Sequence, residues 1–192
     1  MKFFHEFILP LLIAIAILAL FQSTVANYRV EGSSMLPSVE EDDLIFVSKA
    51  SYFNSGPGRG EIIVFEPPGS HNQDVRFIKR VIALPGETVE IKDGRVSIND
   101  TPIDEPYIFP EPSQHNKDLS PQKMQEEQYF VLGDNRNNSN DSRSWGPVSR
   151  DEIVGKASLI YWPFSRWQVI KHCSYENLNK GNCDIIEGYT QS

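Results

Sequence analysis

Cysteine is nearly missing from this chain: only Cys173 and Cys183 occur in 192 residues, ten apart near the C-terminus. A structural zinc site wants four ligands, and His172 is the one other candidate close by, so no metal site is expected. In an exported domain the two cysteines could instead close a small disulfide loop. Basic charge is also scarce, with 18 Lys and Arg against 26 Asp and Glu and a formal net charge of −8. Acidic clusters stand at Glu40–Asp43 and Glu126–Glu127. Binding a phosphate backbone needs a basic face, so nucleic acid is excluded as a partner.

Helical patterning is missing as well. After residue 27 no apolar period of 3.6 residues persists over three turns. What the sequence offers instead is short apolar runs bounded by Gly, Pro and Asn. Leu44–Val47, Glu61–Phe65, Val75–Leu84, Tyr129–Leu132 and Ile153–Tyr161 read as strands, and Tyr28–Val30 as a short extended lead. Thr88–Ile91 and Arg95–Ile98 flank Lys92-Asp93-Gly94, a hairpin signal with Asp-Gly at the turn. Five prolines between Pro102 and Pro121 mark an irregular excursion. The expectation is a mainly β domain, a folded antiparallel sheet assembly with loops on one side.

Long apolar runs occur once. Phe7 to Phe21 carries no charge and one proline, Pro10, and extension to Ala26 gives 20 residues. As a helix this spans about 30 Å, the thickness of a bilayer core. Two readings stand: an uncleaved anchor, or a signal peptide cut after Ala26. Either delivers residues 27–192 to the far side of a membrane, and Lys2 before the run favours a cytoplasmic N-terminus.

Just past that run lies Glu31-Gly-Ser-Ser-Met-Leu-Pro-Ser38, with two hydroxyls between a glycine and a Met-Leu-Pro turn. A serine is a weak nucleophile until something removes its proton. His5 precedes the apolar run, and His71, His115 and His172 have no patterned orienting carboxylate. No Gly-x-Ser-x-Gly elbow occurs. Lys79 offers a different base. Alternation places it on a strand face with Phe77, Val81 and Ala83, opposite Ile78, Arg80, Ile82 and Leu84. Apolar surroundings favour the neutral amine. The competing reading is a strand lysine that snorkels to water, with Ser33 and Ser34 as ordinary turn formers.

Four blocks decide between them. Gly-Ser-Ser-Met-Leu-Pro (32–37), Arg-Gly-Glu-Ile-Ile-Val-Phe (59–65), Phe-Ile-Lys-Arg-Val-Ile-Ala-Leu-Pro-Gly (77–86) and Gly-Asp-Asn-Arg-Asn-Asn-Ser-Asn-Asp-Ser-Arg-Ser-Trp-Gly-Pro-Val (133–148) occur in this order. In them the chain resembles the bacterial type I signal peptidases, Ser-Lys proteases that remove signal peptides from exported preproteins. The similarity covers about residues 28–165. It implies an uncleaved anchor (1–27), a β-rich catalytic domain (28–165) with a hairpin and Pro-rich insertion at 87–128, and a tail (166–192) of no assigned role.

The resemblance further implies Ser34 as nucleophile and Lys79 as general base. Ser139 would orient the amine, and Asp141 and Arg143 would brace the site. Met35, Val39, Ile45, Val64, Phe77 and Ile78 would line a shallow apolar pocket for alanine-sized side chains. The backbone N–H of Ser34 would face the oxyanion. Some members add a hydroxyl two residues before the nucleophile, where this chain has Gly32. No cofactor is implied. The implied partners are preprotein signal peptides and membrane lipid. The implied location is the bacterial plasma (inner) membrane, single-pass, with the catalytic domain outside the cytoplasm. The non-enzymatic alternative is a membrane-tethered β-domain that binds export substrates without cutting them.

Overall fold

The structure is a computed structural model that describes residues 4–70, 75–108, 118–178 and 180–182. One π-helical turn, Phe4–Ile8, leads into helix α1, Leu9–Thr24. Together Glu6–Thr24 is long and apolar enough to cross a membrane, and none of it is buried against the remainder of the protein. A free-standing helix that is apolar all round would be costly in water, which is the physical sense of the composition.

The chain enters β structure without a break. Strand β1 (Val25–Arg29) follows α1 directly and pairs with β2 (Leu44–Ser48). It therefore starts three residues before the extended lead read from Tyr28, because Thr24 O accepts from Lys49 N and fixes the strand from its first residue. The main sheet continues through β11 (Ile153–Trp162), β3 (Ile62–Phe65), β4 (Phe77–Ala83), β9 (Gln128–Leu132) and β10 (Val148–Ser149), with β12 (Gln168–Val169) added to β11. All its pairings are antiparallel. A second, four-stranded sheet holds β5 (Thr88–Lys92), β6 (Arg95–Ile98), β7 (Thr101–Pro102) and β8 (Leu119–Lys123). The hairpin stands where Asp-Gly places it, with Lys92 opposite Arg95 and positive φ at Asp93 and Gly94. Strand β8 runs through Pro121, inside the stretch expected to be irregular. As the sheet's edge strand it tolerates a residue that cannot donate.

Three apolar clusters hold these layers. Val30, Met35, Val39, Ile45, Val64, Ile78 and Ile160 pack into one, on the site side of the main sheet. Ile82, Val89, Ile98, Met124, Phe130 and Leu132 join the two sheets. Phe65, Val81, Val131 and Val148 fill the third. The simple alternation along β4 fails at its end. Ala83 packs with Ile82, and Leu84 lies on the side of Val81. The cause is a register shift against β9 between Val81 and Ala83, a bulge that exchanges the two faces.

The described part of the tail, to Asn182, belongs to this fold. Ile170 is buried in the first cluster and donates to Ser158 O at 2.9 Å. His172 Nδ1 accepts from Ile62 N at 3.0 Å, and burial, seconded by the charge of Lys156, pushes its pKa down to about 4. Cys173 is disulfide-bonded; Cys183, the chain's other cysteine, lies outside the described residues. Gly60 sits at φ +82° where a Cβ would come within 2.3 Å of Cys173 O, so only glycine admits the tail here. Beyond it the hairpin of β13 (Ser174–Asn177) and β14 (Lys180–Asn182) packs against the second sheet, with Tyr175 Oη donating to Asp104 O at 2.8 Å.

Candidate active site

Ser34 sits in the loop between β1 and β2, one turn after Gly32, whose φ is +80°. Backbone bonds inside the loop run from Leu36 N to Ser33 O and from Val39 N to Met35 O. These would leave the peptide of Ser34 itself loose. The segment after β9 holds it instead. Asn135 N donates to Ser34 O at 3.0 Å, Asn135 Nδ2 to Ser33 O at 3.2 Å, and Asn138 Nδ2 to Ser33 Oγ at 2.7 Å. The approach is close: a Cβ on Gly133 would lie 2.5 Å from Ser34 O and 2.3 Å from Ser139 Oγ. Glycine at 133 is thus a packing requirement.

Lys79 comes from the middle of β4, paired with Ile63 of β3. Its Nζ stands 2.8 Å from Ser34 Oγ and donates to Ile78 O at 2.8 Å. The ammonium end also lies 5.4 Å over the Phe77 ring. Lys79 is 4% exposed. Burial pushes its pKa down from 10.5 to about 8, and the more distant charges of Asp141 and Asp134 pull against that shift. A pKa near the working pH, with the amine within reach of a hydroxyl proton, is what a general base requires. Among the described residues no hydrogen bond joins a histidine to Ser34.

The bracing residues lie one layer behind. Asp141 accepts from Gly133 N at 3.1 Å and from Arg143 Nε and Nη2, both at 2.8 Å. It also caps the single turn α2 (Ser142–Trp145) through Arg143 N. Burial works to raise the Asp141 pKa, but the Arg143 guanidinium, Ser139 and Gly133 N–H together hold it below the usual range. Ser139 Oγ is buried beside this carboxylate but makes no well-formed hydrogen bond among the described residues, neither to Asp141 nor to Lys79. In this structure the Lys79 amine is oriented by Ile78 O.

A groove of about 410 Å³ opens over the dyad, lined by Ser34 and Lys79. Ile45, Val64, Phe77 and Ile78 form its apolar floor, whereas Met35 and Val39 are buried beneath it in the same cluster. The Ser34 N–H donates to no group among the described residues, so it is available to a developing oxyanion. No second donor comes from Gly32. A side chain there would meet nothing within 4 Å, and the positive φ disfavours one. Sequence reasoning missed the Asn135 and Asn138 contacts, since nothing local to residues 133–138 says what they touch.

On the opposite face of β4, Arg80 is buried at 1% exposure in a bidentate pair with Asp134, at 2.8 and 2.6 Å. It further donates to Gly60 O and Ser38 Oγ and stacks on the Tyr107 ring.

Comparison with known proteins finds relatives of this chain. Residues 3–162 match the family model described as signal peptidase, peptidase S26. A probable signal peptidase I-1 of Synechocystis is 42% identical over 172 residues, 86% of either chain. A signal peptidase I of Leptolyngbya laminosa is 45% identical over 148 residues, 74% of this chain and 71% of that one. Among solved structures, a signal peptidase I of Enterococcus faecalis matches at 34% identity and a TM-score of 0.47, over 53% of this chain and 97% of its own.

Proposed function

The chain belongs to the type I signal peptidases of peptidase family S26, and on that premise we propose that it is a membrane-bound serine endopeptidase working through a Ser34–Lys79 dyad. The observation that carries this is the 2.8 Å approach of the Lys79 amine to the Ser34 hydroxyl inside an apolar groove. The neutral amine accepts the hydroxyl proton as Oγ attacks the carbonyl carbon of a signal-peptide residue. The tetrahedral oxyanion meets the Ser34 N–H, an interaction worth about 3 kcal/mol in comparable sites. Collapse of the intermediate expels the new N-terminal amine, which takes the proton back from Lys79. An acyl-enzyme remains, and Lys79 then draws a proton from water that attacks the ester.

Asp141 and Arg143 act at a distance from this chemistry. Their pair holds the segment 133–143 in shape, and Asn135 and Asn138 on that segment hold the peptide of Ser34. Ser139 belongs to the same support and is available to meet the amine as it gains its proton. Substrate choice follows from the floor. Ile45, Val64, Phe77 and Ile78, backed by Met35 and Val39, leave little depth, which admits alanine and excludes larger side chains at the first and third positions before the cut. Helix α1 as an uncleaved anchor, with the catalytic domain outside the cytoplasm, keeps the groove near the emerging ends of signal peptides. Confinement then raises effective concentration.

The test uses detergent-solubilised full-length protein and a preprotein. Wild type is expected to release the mature chain, with and without a metal chelator. Ser34→Ala and Lys79→Ala are expected to lose cleavage, and cleavage at the wild-type rate in either would end the dyad reading. Binding of the preprotein by wild type with no cut at all would instead favour a tethered binding domain.

A further inference from the structure

The groove over the dyad is apolar along its floor and charged at its outer end, where Arg29, Glu31 and Arg76 line it. Two of these charges are matched by neighbours outside the groove: Arg29 pairs with Asp42 and Arg76 with Glu66. Glu31 enters no ion pair among the described residues and is exposed. We propose that Glu31 is a specificity-determining residue that favours basic and disfavours acidic side chains four residues before the scissile bond. The inference rests on the Ser34–Lys79 reaction, whose substrate it describes more closely.

The placement follows from chain direction. One wall of the groove is the segment that leads from Tyr28 to Ser34, and the other leads from Val75 to Lys79. Both run toward the dyad. A peptide whose carbonyl reaches Ser34 Oγ from this groove therefore lays its upstream residues beside 28–31 and 75–78. Glu31 stands three residues before Ser34, and the turn at Gly32 (φ +80°) keeps it within the roughly 10 Å that three extended residues would span. The substrate's residue −4 lies three extended residues before −1, at about that limit, and a long side chain there spans the remainder. Alternation then sorts the substrate's side chains: −1 and −3 face the apolar floor, and −2 and −4 face the rim. Of those two, −4 lies farther from the dyad, toward the charged lining residues Arg29, Glu31 and Arg76.

Because Glu31 is exposed, its charge acts partly through water, which limits the preference to a few-fold and makes it sensitive to salt. A basic residue at −4 gains from the unmatched carboxylate, and an acidic one is repelled by it. The matched pairs Arg29–Asp42 and Arg76–Glu66 bring little net charge to the same space.

The test compares kcat/KM for one preprotein with Ala at −3 and −1 and Lys, Gln or Glu at −4, using the full-length enzyme in a neutral detergent. At low salt wild type is expected to prefer Lys over Glu about fourfold, as a screened interaction at this range allows. The ratio should approach unity in Glu31→Gln, invert in Glu31→Lys, and shrink in about 0.5 M NaCl. The same charge swap at +4, beyond the cut, should give one ratio in all three enzymes. Equal −4 ratios in wild type and Glu31→Gln, with cleavage still dependent on Ser34, would overturn the role of Glu31 alone. Cleavage that survives Ser34→Ala would overturn the reaction beneath it.

Discussion

Lys79 and Arg80 are neighbours on one strand, both cationic by type and both buried, yet they have opposite fates. Arg80 is met by Asp134, which outweighs the cost of burial and raises its pKa further. Lys79 has no carboxylate within ion-pair distance among the described residues. Its pKa falls to about 8 although Asp141 and Asp134 contribute from farther off. Burial alone therefore does not predict what a buried cation does; the distance to its counter-charge does. One face of β4 uses a matched charge as a fastener, and the other keeps an unmatched amine that, on the proposed reading, serves as the reagent.

The sharpest way to break this contrast is to remove the reagent. Lys79→Met should lower kcat by about 10²–10⁴-fold, the usual weight of a general base, measured by preprotein cleavage. It should also stabilise the protein at pH 7, where the native state must hold a buried ammonium. With a native pKa of about 8 against an ordinary 10.5, the penalty relieved is about 3 kcal/mol. The sign is set by which state binds more protons. Below pH 8 both carry the proton and the penalty is full. From about 8 upward the native state releases it while the unfolded chain keeps it to 10.5, so wild-type stability rises with pH. The advantage of Lys79→Met in thermal melts should therefore shrink across that window. An advantage that grew with pH would contradict the assignment.

Removing the fastener should do the reverse. Asp134→Ala leaves Arg80 buried and unmatched, and is expected to cost about 3–5 kcal/mol in denaturant unfolding. The smallest effect expected is on titration. kcat/KM in wild type should rise with pH through a midpoint near 8. Asp141→Asn should move that midpoint lower, because the carboxylate's charge is what holds the Lys79 proton more tightly. A midpoint unmoved or raised would show that Asp141 does not act on the amine electrostatically.

Much of this was legible in the sequence, for physical reasons that stop at identifiable places. Strands β2, β3, β4, β9 and β11 are apolar runs bounded by turn formers, and the Asp93-Gly94 hairpin follows from local backbone preference. The pairing of Ser34 with Lys79 spans 45 positions and no periodicity connects them; the apolar strand face offered Lys79 as a base, and the matched blocks favoured it over a snorkelling lysine. Local pattern also misses what is decided across space. The bulge at Ala83, the edge strand through Pro121 and the Asn135 and Asn138 clamp all depend on what lies alongside. Apart from Cys173, Ile170 to Leu178 gave no signal because the remaining contacts there are scattered backbone bonds and single aromatic contacts. Ser139 shows the converse. The matched blocks suggested a contact with the amine, and the hydroxyl here lies beside the Asp141 carboxylate, which it helps hold ionised, with no hydrogen bond to Lys79.

Helix α1 passes into β1 with no residue between Thr24 and Val25, and Lys49 N locks the junction to β2. A helix gripped by a bilayer would thereby grip the sheet. From Val25 to Arg29 the strand covers about 13 Å, and Ser34 follows within five residues. The splice would then act as a spacer: in a membrane-held chain, the depth of α1 would fix the height of Ser34 above the bilayer.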